Sequence, residues 1–242
     1  MTHRSIVTAA WTLIAAAACC CDAAPPAPGA DIPKGTAGRL IEHYQMQRVP
    51  QEGAWYSLTY SSDDRIEGAA LPARYSGRGH AAGSAIVALL TAADFSAMHR
   101  LQTDEVWHFY GGAPIEMLLL YPDGHGEKVI LGAQVFAGQL PQFTVPHGVW
   151  QGSAPAGHAA SRYSFVGTQL SPAFDYADFE IGYRDRLQQQ YPAFTNEIER
   201  LTRAQFAHSA AAAARNRYDA SSAAVSSGTS LGAAANAELR NH

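Results

Sequence analysis

The stretch His99–Gly112, HRLQTDEVWHFYGG, sets two histidines, an adjacent pair of carboxylates and three aromatics within fourteen residues. An imidazole and a carboxylate brought together under aromatic cover make a general acid/base pair, two metal ligands, or a structural hydrogen-bonded pair. Side chains alternate faces along a strand, so parity decides which of these residues can meet. His99 and Leu101 share one face, and Arg100 takes the other as a surface or interface charge. Beyond a turn at Gln102–Asp104, Glu105, Trp107 and Phe109 share a face, with Val106 and His108 opposite. If the two runs are antiparallel neighbours, His99 and Glu105 point into one interior rimmed by Trp107 and Phe109. His108 then faces away, to pack between sheets or at a dimer face. In the catalytic reading His99 is the general base and Glu105 tunes it, because a nearby carboxylate favours the imidazolium and fixes the tautomer.

The elements that must position this pair are short. WYSLTY, SAIVALL, FSAMHRL, EVWHFY, IEMLLLY, KVILG, QFTV, VWQG and SRYSFVGTQL are apolar runs separated by turn residues. Their lengths and spacing predict an antiparallel sandwich or barrel. YPDGHGEK carries an Asp-Gly turn between two runs and predicts a hairpin. RLIEHYQM reads as a short opening helix, and Phe194, Ile198 and Leu201 recur at helical spacing, predicting one or two closing helices.

The chain has 242 residues, 47% of them apolar, enough for one sizeable core. Its 17 basic and 21 acidic residues give a net charge of −4 with no basic stripe, which argues against nucleic acid as a partner. The cysteines are Cys19, Cys20 and Cys21 alone, so the mature domain carries no disulfide framework and no thiol site. MTHR followed by the apolar run Ser5–Ala18 is the pattern of a secretory signal peptide over residues 1–21, too short to span a bilayer. AAAC at Ala16–Cys19 resembles a bacterial lipoprotein processing site, which would make Cys19 the acylated first residue; Ala16 stands where that motif carries Leu, and plain cleavage is the alternative. Export to the periplasm or beyond is expected, with membrane contact only through a lipid anchor. A Pro/Ala-rich tether follows over 22–37, then a folded domain over 38–205. An Ala/Ser-rich tail over 206–242 has almost no large apolar residues and reads as largely disordered.

LIEHYQMQRVPQEGAWYSLTY, SAIVALLTAADFSAMHRLQTDEVWHFYGG, VPHGVWQG and SPAFDYADFEIG, in this order, resemble the cupin-five family of the cupin superfamily over about Leu40–Thr202. The resemblance implies a mainly β fold: an antiparallel double-stranded β-helix, or jelly-roll cupin barrel, open at one end, with short flanking helices. That fold is similar to the sugar-nucleotide 3,5-epimerases, and the resemblance also implies a homodimer. Metal-binding cupins place two histidines about one residue, then a glutamate, then a third histidine in the second motif. Here His99 and Glu105 match, Leu101 replaces one histidine and Gln151 another, so a divalent metal on His99, Glu105 and Gln151 would have a weak donor set. No cofactor is required by the reading. Members also carry a basic residue after the first aromatic pair, where this chain has Ser57, which weakens recognition of an anion.

The remaining candidates are ranked by the same motifs. Glu52 matches the family and either reaches the barrel mouth or is a turn carboxylate. Trp107, Phe109 and Trp150 are candidate cavity walls, although parity turns Trp150 outward, and Gln151 is a candidate ligand contact. Asp175, Asp178 and Glu180 are expected to bond to the closing helices; His43, His125 and His147 are expected to be a packed or capping residue, a solvated one and a variable turn residue. Three readings follow. The first is a metal-independent isomerase or epimerase acting on a small, carbohydrate-like ligand; the second is a binding module without catalysis; the third is a metal-dependent cupin.

Overall fold

The computed structural model describes residues 35–157 and 162–209. The signal segment, Cys19, the tether up to residue 34 and the tail beyond residue 209 lie outside the described residues. The strands are β1 (Gln47–Arg48), β2 (Trp55–Ser61), β3 (Arg65–Ile66), β4 (His80–Ala81), β5 (Ser84–Thr91), β6 (Ser96–Leu101) and β7 (Glu105–Gly112). They continue as β8 (Ile115–Leu120), β9 (Gly126–Leu131), β10 (Gln142–Val145), β11 (Trp150–Pro155), β12 (Tyr163–Leu170) and β13 (Phe179–Ile181). The helices are α1 (Thr36–His43), α2 (Arg184–Gln190) and α3 (Thr195–Arg200), and none among the described residues is long and apolar enough to cross a membrane.

Two antiparallel sheets face each other, one ordered β1-β2-β5-β12-β7-β10 and the other β13-β6-β11-β8-β9. Each predicted apolar run became a strand, because each carries one face for the space between the sheets. Ala54, Ala88, Leu90, Trp107 and Val166 from the first sheet meet Ile115, Met117, Leu119 and Leu131 from the second. The second sheet is buried on its outer face as well. There Met98, Leu118, Leu120 and Trp150 pack against Leu187 and Tyr191, at the end of α2, and against Ile198 and Leu201 in and after α3. This double burial explains the continuous run IEMLLL in β8, which has no alternation. Gly112 ends β7 at φ +86, where a Cβ would run into the Tyr163 carbonyl.

The Asp-Gly turn joins β8 to β9 as predicted, with Asp123 accepting from the His125 amide at 3.2 Å. α1 begins at Thr36 and buries Ala37 and Ile41, while the Ser209 amide bonds to the Asp185 carboxylate at 3.0 and 3.1 Å.

One expectation is corrected. β6 and β7 are not neighbours: β6 pairs with β11 and β13, and β7 pairs with β10 and β12. The turn at Gln102–Asp104 carries the chain from one sheet to the other. His99 and Glu105 therefore meet across the sandwich rather than along one sheet.

Candidate functional site

His99 is set by its place in the middle of the second sheet, opposite Gln151 on β11 and Ile181 on β13. It is buried, and its Nδ1 lies 2.8 Å from the Ala97 carbonyl. A carbonyl only accepts, so the neutral ring carries its proton on Nδ1 and leaves Nε2 bare. Nε2 is 4.0 Å from Glu105 Oε2, too far for a direct hydrogen bond.

Glu105 enters from the first sheet and is held by a relay. Gln151 Nε2 donates to Glu105 Oε2 at 2.6 Å, and Trp107 Nε1 donates to Gln151 Oε1 at 3.0 Å. An indole N–H can only donate, so the amide orientation of Gln151 is fixed and its NH₂ must face the carboxylate. Burial pushes the Glu105 pKa above its usual 4.5; the His99 charge opposes this shift and the Glu52 carboxylate adds to it. Thr168 and Gln151 lower it by smaller amounts.

A carboxyl that holds its proton more tightly when folded stabilises the fold fully below its unfolded pKa, and loses that contribution as pH rises through the folded value. Denaturant midpoints of the wild type are therefore expected to carry a downward component with rising pH above 4.5 that is absent in Glu105→Gln. Parallel profiles for the two proteins would contradict the assignment.

Between the sheets lies a cavity of about 30 Å³, lined by Val49, Glu52, Ala54, Ile86, Ala88, Leu90, His99, Glu105, Trp107 and Thr168. That is room for about one or two oxygen-sized atoms. Glu52 is thus a cavity residue rather than a turn carboxylate alone. Its turn is pinned by Arg203, whose Nε donates to the Glu52 carbonyl at 2.7 Å and whose Nη2 donates to the Phe95 carbonyl at 2.8 Å. Gly53 beside it has φ +95, and a Cβ there would run into the Arg203 guanidinium, so glycine is required for this clamp.

The other predicted contacts divide. Trp107 lines the cavity; Phe109 is half-buried and packs on the same core outside it. Trp150 sits away from the cavity, in the outer cluster under the helices, with the Arg100 guanidinium 4.5 Å from its ring centroid. The Gln151 oxygen accepts from Trp107 and its nitrogen donates to Glu105, so the amide positions that carboxyl. No group of three His, Cys, Asp or Glu among the described residues is arranged to hold a metal ion. With Leu101 and Gln151 at the two missing histidine positions, the donors present do not fit a cupin metal centre.

Ser57 pairs with Val87 and does not line the cavity, and His108 stacks on Tyr110 at 6.5 Å on the outer face. Arg100 pairs with Glu180, His125 with Asp123 and His147 with Asp104. His43 meets Tyr44 edge-on at 4.8 Å.

Asp175, Asp178 and Glu180 do not serve the closing helices. Asp175 caps its own turn, accepting from the Ala177 amide at 2.8 Å, and Asp178 binds His80 Nε2 at 2.6 Å together with Arg78. This second buried cluster, with Tyr75 edge-on to His80, had no motif to announce it. It anchors the start of β13, where Phe179 stacks on the His99 ring at 5.4 Å, with Phe174 and Tyr176 packed around Phe179 toward solvent. Thr168 was missed as well; no pattern separates it from other strand threonines.

Two facing antiparallel sheets with a histidine and a glutamate meeting inside define a cupin barrel. A family model described as Cupin superfamily (DUF985) matches residues 38–182, and the chain belongs to that family. A hypothetical protein from Leishmania major is 31% identical, covering 69% of this chain and 99% of its own, with a TM-score of 0.61. A protein of solved structure from Shewanella oneidensis is 30% identical, covering 70% of this chain and 99% of its own, with a TM-score of 0.60. No curated protein matches the sequence.

Proposed function

We propose that this cupin is an exported protein that binds a small hydroxycarbonyl compound, carbohydrate-like in character, and carries out metal-independent acid–base chemistry of the isomerase or epimerase type. The observation that carries the reading is the bare Nε2 of His99 facing the buried carboxyl of Glu105 across 4.0 Å, with burial raising that carboxyl's pKa. Pairs of titratable groups whose surroundings give them opposite proton roles supply an acid and a base at one pH. His99 Nε2 takes a proton from a carbon next to a carbonyl, breaking C–H and forming N–H. The electron pair moves onto the carbonyl oxygen, which takes the Glu105 proton. The resulting imidazolium and carboxylate attract each other; the imidazolium returns its proton to the same carbon, or to the neighbouring carbon of the enediol while the Glu105 carboxylate takes up the hydroxyl proton there, which isomerises the ligand. The signal-like segment MTHR with its apolar run supports export.

The test is isotope exchange. The protein is incubated in D₂O with a mixture of neutral aldoses and ketoses, and each is followed by mass spectrometry. At least one component is expected to gain deuterium, with His99→Gln reduced to the buffer rate. Exchange at the buffer rate for every component with the wild type would leave the binding module, without catalysis, as the correct reading.

A further inference from the structure

We infer that the cavity receives an uncharged hydroxyl of the ligand, held by Thr168 Oγ1, and that phosphorylated and carboxylated molecules are excluded from it. The inference rests on the acid–base reading for the place of the site and adds the chemical class of its ligand. Thr168 is opposite Trp107 in the first sheet, 3% exposed, and lines the cavity. Its hydroxyl lies close enough to the Glu105 carboxyl to lower that group's pKa as a hydrogen-bonding neighbour, but the contact falls outside full hydrogen-bonding distance and angle and leaves the hydroxyl short of a well-formed partner. A buried hydroxyl without a well-formed partner is costly, so its place at a cavity wall marks it for a guest atom.

The size and charge of the cavity define that guest. About 30 Å³ admits a hydroxyl and not a phosphate. The charged and titratable lining groups are Glu52, His99 and Glu105, with no lysine or arginine among them. The guanidiniums behind the Glu52 turn are already engaged. Arg48 binds Asp94 and lies 4.4 Å from the Trp55 ring centroid, while Arg203 donates to the carbonyls of Glu52, Ala93 and Phe95. An entering anion would meet the Glu52 and Glu105 carboxyl groups with no free cation to compensate, whereas an uncharged hydroxyl carries no such penalty and can accept from Thr168.

The experiment titrates the isotope-labelled full-length protein with ethylene glycol, with methyl phosphate and with acetate, following the His99 ring and the Thr168 methyl by NMR. Ethylene glycol is expected to shift both resonances saturably, and the two anions are expected to leave them unmoved at equal concentration and pH. Thr168→Val should weaken the glycol response about tenfold while Thr168→Ser retains it. A saturable response to either anion, no response to glycol, or an undiminished glycol response in folded Thr168→Val would each overturn the inference. Because glycol binding is read without turnover, its outcome is separate from isotope exchange: glycol can bind through Thr168 in a protein that exchanges no proton.

Discussion

Gln151→Leu is expected to destabilise the fold by about 3 kcal/mol, because it strands two buried polar groups at once. Leucine fills most of the side-chain volume but can neither accept from Trp107 Nε1 nor donate to Glu105 Oε2, which stand 3.0 and 2.6 Å from the native amide. Each orphaned group costs about 1–3 kcal/mol, and the carboxyl offsets part of its loss by holding its proton more tightly. Trp107→Phe removes only the indole donor from the relay, though it also loses apolar area, so the single Gln151 substitution is the cleaner probe. Urea unfolding measures the effect. A loss below about 1 kcal/mol would mean that the amide is not the link between the tryptophan and the glutamate.

Asp178→Ala should cost a similar amount, about 3 kcal/mol, at a second buried cluster outside the cavity. The carboxylate accepts from His80 Nε2 at 2.6 Å and pairs with Arg78, and the His80 side chain is only 1% exposed. Removing one partner leaves the imidazole facing no acceptor in a buried position, which is the expensive way to break such a pair. The Arg78 side chain is 39% exposed, so water screens its share, and the estimate stays at the low end of buried pairs. The effect also has a direction in the structure. Asp178 immediately precedes Phe179, so the stack on His99 should loosen, and the His99 ring resonances should broaden in the variant. An unfolding free energy within about 0.5 kcal/mol of wild type would show the cluster to be a surface contact only.

The strands were legible because each is a short apolar run bounded by turn residues, and that pattern depends on neighbours in sequence. The pairing of β6 with β11 and of β7 with β12 was not. Parity assigns the same inward faces to His99 and Glu105 whether their strands are neighbours or lie in opposite sheets. What decides is the hydrogen-bonding partners, supplied by residues roughly 50–80 positions later. The same limit applied to Gln151. Its residue type suggested a weak ligand, and only Trp107, brought to its oxygen by the fold, turned it into a positioning residue for Glu105. Trp150 was half legible, since parity pointed it outward although its motif pointed to the site. His80 with Asp178, and Thr168 with its poorly partnered hydroxyl, left no trace in local pattern, because each has meaning only through contacts made across the chain.

The acid–base assignment stands or falls on whether His99 and Glu105 sense each other's charge. The direct measurement is a pH titration of the Glu105 carboxyl carbon by NMR, in the wild type and in His99→Gln, with the His99 ring nitrogens read in the wild type. At high pH the wild-type ring is expected to carry its proton on Nδ1, held by the Ala97 carbonyl, with a bare Nε2. The His99 charge lowers the Glu105 pKa, so the wild-type curve should lie at lower pH than that of His99→Gln. Two coincident curves, or a neutral ring protonated on Nε2, would contradict the pairing and remove His99 as the base.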